Sequence, residues 1–421
     1  MADTSPLLRT LGSADGVEVG AVDEPGPGRQ LTPRRRLPAP RAMTGRLAWR
    51  NLAHDHVRFI VTLVGIVFSV VLMAVQWGML LGFAETAAAL VTHAGADLWI
   101  VARGTSNVDQ SVNIPERYRF KALSIAGVTA VDKLIVHFAV WRRPDGRAEP
   151  VIIVGFDLDS GAGGPWNVVA GSVEDLHLPD TIMIDRVYAA KLGVDTLGQT
   201  VEIEGRRARV VGFTNGIRAF TQSPYVFTSY KNSLKYSGSQ FSGLVEGRTH
   251  YLLVRAAPAA DLAEIREGLQ AALPATDIRS AAEFADMTTR YWLLTTGAGA
   301  ALVLGAVLGI VVGVIIVAQT LYAATVERQS EFAVLRAMGA SNAYLNSIVL
   351  KQALTSGTIG YLIGISIAAG VVQAAADSTV SLVLPWQLGV AVGLITLTLC
   401  SAASLVAIHR IKTIDPTIAF R

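Results

Sequence analysis

"YWLLTTGAGAALVLGAVLGIVVGVIIVAQTLYAATV" occupies residues 291–326 and contains no Asp, Glu, Lys or Arg. A helix crosses the hydrocarbon of a bilayer in roughly 20 residues, so this run is more than long enough to span. Three more charge-free runs stand at Phe59–Ala84, Gln352–Ala376 and Ser378–Ile408. The chain is 51% hydrophobic and 16% charged, against about a quarter charged in soluble domains. No soluble core needs four such runs. The reading is an α-helical membrane protein with four transmembrane helices plus a large α+β extracytoplasmic domain between the first and second spans.

Basic residues near the span ends set the orientation. Arg34, Arg35, Arg36, Arg41, Arg46, Arg50 and Arg58 precede the first span, against Asp55. Arg328, Arg336 and Lys351 lie between the second and third spans, and Arg410, Lys412 and Arg421 follow the fourth. The turn between the third and fourth offers only Asp377. Both termini and the 327–351 loop are therefore expected on the cytoplasmic side, with 85–290 outside. The net charge of +3 is mostly this asymmetry and gives no indication of nucleic acid. Span one reads as a signal anchor rather than a cleaved signal peptide, because polar residues precede a long apolar run. The single cysteine, Cys400, falls inside span four, so disulfides and cysteine metal clusters are excluded by count.

The expected organisation is a disordered tail at 1–42, rich in Gly, Pro and Arg, then an amphipathic juxtamembrane helix at 43–58 with Leu47, Trp49 and Leu52 on its apolar side. Spans follow at 59–84, 291–325, 342–376 and 378–409, with a short cytoplasmic helix at 326–340 and a tail at 410–421. Within 85–290, "ADLWIV" reads as a strand, "PERYRFKALSIAGV" as a helix, and "KLIVHFAVWRRPDGRAEPVIIVGF" as two strands about a Pro-Asp-Gly turn. "THYLLVRA", "DLAEIREGLQAAL" and "ATDIRS" give strand, helix and strand, with Leu262, Ile265, Leu269 and Leu273 on one helical face and Asp261 as cap. These pieces suit a split α+β module interrupted by a β-rich insertion at about 165–240, whose hairpin turns at Glu204-Gly205.

"SAAEF" at 280–284 is a capping box, Ser280 with Glu283. A helix running from there to Ala324 has about 45 residues and a length of roughly 65 Å, twice the hydrocarbon thickness. Span two is thus expected to begin as a stalk above the membrane. Span one mirrors it through "AETAAALVTHA", and Tyr291, Trp292 and Trp386 fall at an outer aromatic belt.

Gly305, Gly309 and Gly313 line one face of span two, Gly360 and Gly364 one face of span three, and Gly389 and Gly393 one face of span four. Small residues at this spacing allow close helix packing, within or between protomers. Away from their ends, the spans hold no Asp, Glu, Lys, Arg or His; Gln76, Gln319 and Gln373 are their large polar side chains. Ion-coupled carriers need such ionisable groups. The Gly-Lys dipeptide of a phosphate-binding loop is absent as well. The outer histidines, His93, His137, His177 and His250, are scattered without metal or nucleophile spacing, so catalysis by this chain is not expected.

Between spans two and three stands "VERQSEFAVLRAMGAS". Phe332, Leu335 and Met338 fall on one side of a helix with Val334 flanking, while Glu327, Arg328, Glu331 and Arg336 project elsewhere. Gly339 supplies a left-handed stop and Ser341 caps the next helix. A mere connection needs only a few polar residues. This segment reads as a rigid knob for a cytoplasmic protein to grip.

The stretch "ERQSEFAVLRAMGASNAYL" resembles the coupling-helix motif of permease subunits in the MacB and FtsX superfamily of ABC transporters. The resemblance runs from about Gly45 to Arg421. "LPDTIMIDRVYAAKLG", "RRARVVGF", "YWLLTTGAG" and "GIVVGVIIVAQTLY" look closest to the DevC-type exporter permeases. The resemblance implies a bacterial inner-membrane dimer, expected as a homodimer, working with a separate ATPase that binds ATP and Mg; this chain itself is expected to hold no cofactor. It further implies a periplasmic adaptor, an outer-membrane duct, contact with membrane lipid, and mechanotransmission of ATP-driven motion to the outer domain. Glu327, Arg328, Glu331, Phe332, Leu335, Arg336 and Gly339 are the ATPase-coupling interface on this resemblance. The expected function is export of amphiphilic cargo such as lipid, glycolipid or hydrophobic drug. The alternatives are an FtsX-like signalling scaffold controlling a cell-wall hydrolase, and lipoprotein extraction.

Overall fold

The computed structural model describes residues 56–237, 247–327 and 329–412. The expected tail at 1–42, almost all of the juxtamembrane helix, Arg328 and the last residues of the C-terminal tail lie outside the described residues. Among the described residues, four helices are long and apolar enough to cross a membrane.

The first, α1 (His56–His93), has 38 residues and a length of about 57 Å. It runs through the bilayer without interruption and beyond it, because Ala88, Leu90 and Val91, with Ala94 just after the helix, exchange lipid for the core of the outer domain. The chain then enters β1 (Leu98–Ala102), the two-residue β2 (Ile114–Pro115) and the short helix α2 (Tyr118–Leu123). The long β3 (Val128–Arg142) turns at Pro144-Asp145-Gly146 into β4 (Ala148–Phe156). The insertion supplies β5 (Val168–Gly171), β6 (Thr181–Asp185), α3 (Ala189–Leu192), β7 (Thr200–Ile203), β8 (Arg206–Thr214), β9 (Tyr225–Ser229) and α4 (Tyr230–Ser233). After β10 (Arg248–Thr249), the first module resumes with β11 (Tyr251–Ala256), α5 (Leu262–Ala272) and β12 (Thr276–Ser280).

Strand order is β12-β1-β11-β3-β4-β9-β6-β8-β5, with β7 bridging β8 and β3. The first four strands interlock two βαβ units, and α2 and α5 cover one face through Ala122, Ile265, Leu269 and Leu273. Leu262 departs from the expected buried stripe. It is the first residue of α5 and is 41% exposed, since the helix has not yet come down onto the sheet. The remaining strands close into a ring, β3-β4-β9-β6-β8-β7. The 15-residue β3 makes both halves possible. Its first half pairs with β11, and its end pairs with β7 at Trp141↔Ile203. Trp141, Ile153, Ile182, Ile203, Val210 and Val226 fill the ring. The β7–β8 hairpin turns on Glu204 and Gly205, both at positive φ. The Glu204 carboxylate accepts from the Val140 backbone N–H at 2.6 Å, which fixes the hairpin tip to β3.

Helix α6 (Ala281–Arg290) opens with the capping box at Ser280 and Glu283. It does not continue into the second span. Residues Tyr291–Thr295 form a π turn, Thr296 is extended, and α7 (Gly297–Val326) begins anew with the Thr296 hydroxyl accepting from Gly299 N. The expected 45-residue rod is therefore two helices with a joint at the membrane surface. The short cytoplasmic α8 (Gln329–Ala337) precedes the third span, α9 (Asn342–Ala374). The fourth, α10 (Trp386–Lys412), starts eight residues later than expected. Pro385 accounts for this: its ring suits the entry to a helix, and residues before a proline are pushed out of the helical region.

Candidate functional site: a cytoplasmic knob and an outer joint

The cytoplasmic knob is built by helix ending. Gly339 takes φ 91°, a conformation that side chains resist. Ala340 N–H then bonds Leu335 C=O and Gly339 N–H bonds Arg336 C=O, each at 3.0 Å. This double bond pattern closes α8. Ser341 starts α9 at once, its hydroxyl accepting from Tyr344 N at 3.3 Å. Leu335 and Ala340 pack on Leu345 and Val349 of the third span. Of the seven residues expected at the coupling interface, Leu335 is half-buried and packs on its own third span. Val334 and Met338 present the apolar surface instead, at 49% and 72% exposure. Glu331 and Glu327 are exposed beside them, Arg336 is half-buried, and the Phe332 side chain lies outside the described part. The knob is thus an i, i+4 apolar pair edged by acids, clamped to a span at its back.

The spans behind it pack through glycine. A Cβ on Gly305, Gly309 or Gly313 would meet Gln76 or Met73 of α1 at 3.1–3.3 Å. A Cβ on Gly360 would lie 2.6 Å from Ile66, and one on Gly364 would lie 2.8 Å from Val70. Gly389 and Gly393 face Tyr361, whose hydroxyl donates to the Gly389 carbonyl at 2.9 Å. These glycine faces are occupied within one protomer. Gln319 and Gln373 are exposed on the outside of the bundle.

At the outer membrane surface a second constellation joins parts distant in sequence. The loop after β8 is held by Asp185, whose Oδ2 accepts from the Thr214 hydroxyl at 2.9 Å and from Ile217 N at 2.7 Å. The loop projects Arg218 and Phe220. Arg218 Nε donates to Ser378 C=O at 3.0 Å and its Nη2 donates to Ala376 C=O, both between spans three and four. Phe220 sits between Phe83 of α1, at 5.4 Å between ring centroids, and Trp292 of the π turn, at 4.0 Å. The following segment, 381–383, lies against Gly78 and Gly82 of α1, where a side chain would strike its backbone carbonyls. Trp292 is therefore a component of a packed joint and not of a lipid-facing belt. Its indole N–H donates to Asp109 Oδ2 at 3.1 Å. Asp109 is 4% exposed, and its Oδ1 has no hydrogen-bond partner. Burial pushes its carboxyl up to about 7, against smaller opposing effects of Trp292 and Tyr225.

Of the outer histidines, His137 and His250 meet edge to face at 6.1 Å between ring centroids, while His93 and His177 stand elsewhere. His93 stacks on Trp166 at 4.3 Å, and His177 stands 3.6 Å from Glu174. Burial pushes His137 down to about 4, and His250 Nδ1 accepts from Val136 N at 3.1 Å. Among the described residues, no group of three or more His, Cys, Asp and Glu could hold a metal ion.

The description of the MacB-like periplasmic core domain family matches residues 59–272, and that of the FtsX-like permease C-terminal family matches 303–416. A search of curated proteins finds no match. Among solved structures, the periplasmic region of MacB from Actinobacillus actinomycetemcomitans is similar at 13% identity and TM-score 0.34, over 48% of this chain and 95% of that one. The extracellular domain of the ABC-type transporter YknZ from Gram-positive bacteria is similar at 14% identity and TM-score 0.32, over 44% and 99%.

Proposed function

The chain belongs to the MacB/FtsX superfamily of ABC transporter permeases, and from that premise we propose that it is the membrane subunit of an efflux system working by mechanotransmission. A separate ATPase grips α8 on the cytoplasmic side, and both termini of the chain lie on that side. Two copies form a homodimer, and their outer domains move when the ATPases close on ATP. The subgroup is the DevC type, with a periplasmic adaptor and an outer-membrane duct, and the cargo is amphiphilic.

One observation carries this reading: α8 is rigid, exposed on one face and clamped on the other. Leu335 and the Gly339 closure seat it on the third span, so force applied at Val334 and Met338 reaches α9 rather than bending a loop. The contacts at Gly360 and Gly364 then pack α9 directly on α1, and α1 runs into the core of the outer domain without a break. The absence of ionisable side chains within the charge-free runs is in keeping with a passive transmitter.

The test is affinity purification of the tagged full chain from its native membrane, followed by mass spectrometry. The wild type recovers an ABC ATPase together with an adaptor, and Met338→Asp, at an exposed position, loses the ATPase while still inserting normally. Recovery of a cell-wall hydrolase or a lipoprotein carrier in place of the adaptor would replace the efflux assignment.

A further inference from the structure

Beneath the outer joint lies a cavity of about 400 Å³ that packing leaves open. Its size falls within the roughly 300–1,000 Å³ of small-molecule sites. Met79 and Phe83 of α1, Ala298 and Leu302 of α7, Phe220 and Val380 form its walls. Arg218, Gln222 and Ser381 also line it and supply polar groups. Ala298 and Leu302 belong to the first turns of the second span, so the cavity sits at the outer ends of the spans.

Three features select its occupant. The walls are mainly apolar, with Thr86, Arg218, Gln222, Thr379 and Ser381 among them, which suits an occupant with a long apolar body and a polar end. Ala298, Ala301 and Leu302 of the second span form one wall, and the exposed apolar Leu304, Val307 and Leu308 follow directly, so outer-leaflet acyl chains would adjoin the cavity. Arg218 spends two of its five N–H donors on the carbonyls of Ala376 and Ser378, and its fixed positive charge lines the cavity where a lipid headgroup would sit. A chain arriving from lipid gains little from leaving water, so selectivity rests on filling the void and on charge.

We propose that this cavity holds a single acyl chain of an anionic outer-leaflet amphiphile, with the acidic head at Arg218. The site is within one protomer and joins three moving parts: α1, α7 and the loop of the outer domain. An occupant would wedge them together at the joint. The proposal rests on the outward placement of residues 85–290 but requires no ATPase, adaptor or export.

The test uses the purified full chain in detergent with a diazirine-bearing palmitate, and with its methyl ester as the uncharged probe. After irradiation, adducts are mapped by peptide mass spectrometry. The expected result is labelling concentrated on the 79–83 and 298–302 peptides and displaced by unlabelled palmitate. Labelling by the acid should exceed that by the ester, and Ala301→Trp, which puts a ring into the cavity, should reduce it roughly tenfold. Arg218→Gln, which also loosens the wall at 379–381, should lower labelling by both probes and abolish the preference for the acid over the ester. Adducts spread over the lipid-exposed Leu304, Leu308 and Val311 without competition would overturn the site, a result that needs no variant to fold. Equal labelling by acid and ester in the wild type would overturn its anionic selectivity. Because no ATPase enters the experiment, failure here leaves the permease reading standing, and loss of that reading leaves this result intact.

Discussion

Replacing Asp109 by Asn tests the outer joint through its pH dependence. The Asp109 carboxyl is oriented by its own loop, where Asn107 Oδ1 accepts from the backbone N–H groups of Asp109 and Gln110 at 3.1 and 2.9 Å. It faces Trp292, Tyr225 and Tyr251 and no cation, so burial raises its pKa from 3.8 to about 7. The folded state therefore binds this proton more tightly than the unfolded chain. Its contribution to stability is greatest below the ordinary carboxylate pKa, declines as pH rises from there to about 7, and is constant above. At about 1.4 kcal/mol per unit, the ceiling is roughly 4 kcal/mol. Asn keeps an acceptor for the Trp292 indole and never ionises. The assay is thermal unfolding of the full chain and Asp109→Asn in one detergent, from about pH 4 to pH 8; taking the difference cancels every other titrating group. The variant should gain on the wild type as pH rises, reaching several degrees at pH 8, since roughly 2–4 °C accompanies each kcal/mol in a domain this size. A difference independent of pH, or a variant less stable at pH 8, would refute a carboxyl whose proton burial holds in the folded state.

Gly364→Ala should cost about 1–3 kcal/mol by overpacking against Val70, whereas Gly370→Ala in the same helix, with nothing within 4 Å of its Cβ, should not destabilise; resistance to thermal unfolding in detergent separates them. Leu335→Ala should lower stability by about 1–2 kcal/mol, while Met338→Ala should stay within about 0.5 kcal/mol and weaken recovery of the ATPase. Arg218→Gln should release the 376–383 segment by removing two charge-assisted hydrogen bonds, together about 1–3 kcal/mol in a half-buried setting, read as faster amide exchange there.

The four spans were legible because charge is excluded from hydrocarbon, and no fold information beyond local composition is needed to see that. Gly339 and Ser341 marked the ends of α8 and α9 for a similar local reason: one residue tolerates positive φ, and the next offers a capping oxygen. The break at Thr296 was not legible. No proline marks it, and the π turn is held by Phe220 and Asp109, which come from loops far away in sequence. The start of α10 was readable in principle from Pro385, but an uninterrupted apolar run masked it. Within α8 the pattern identified an apolar side and could not say that Leu335 turns inward while Val334 and Met338 turn out, because the third span decides that. The packing role of Gly78 and Gly82 and the ring closed by β7 on β3 likewise depend on partners about 60 or more residues away. Of the outer joint, only YWLLTTGAG around Trp292 stood out in the sequence; nothing local in 215–224 marked Arg218 or Phe220 as its partners.

Motion begun at α8 should reach the outer domain. Cys400 is fully buried, so a cysteine placed at the exposed Asp159 can carry a spin label alone. Pulsed electron–electron distance measurement between two such labels, one per protomer, would be made on the complex with its ATPase, without nucleotide and with ATP trapped by vanadate. If α8 drives the outer domain, the distance distribution shifts on trapping and Met338→Asp abolishes the shift. An unchanged distribution in a complex that hydrolyses ATP would contradict it.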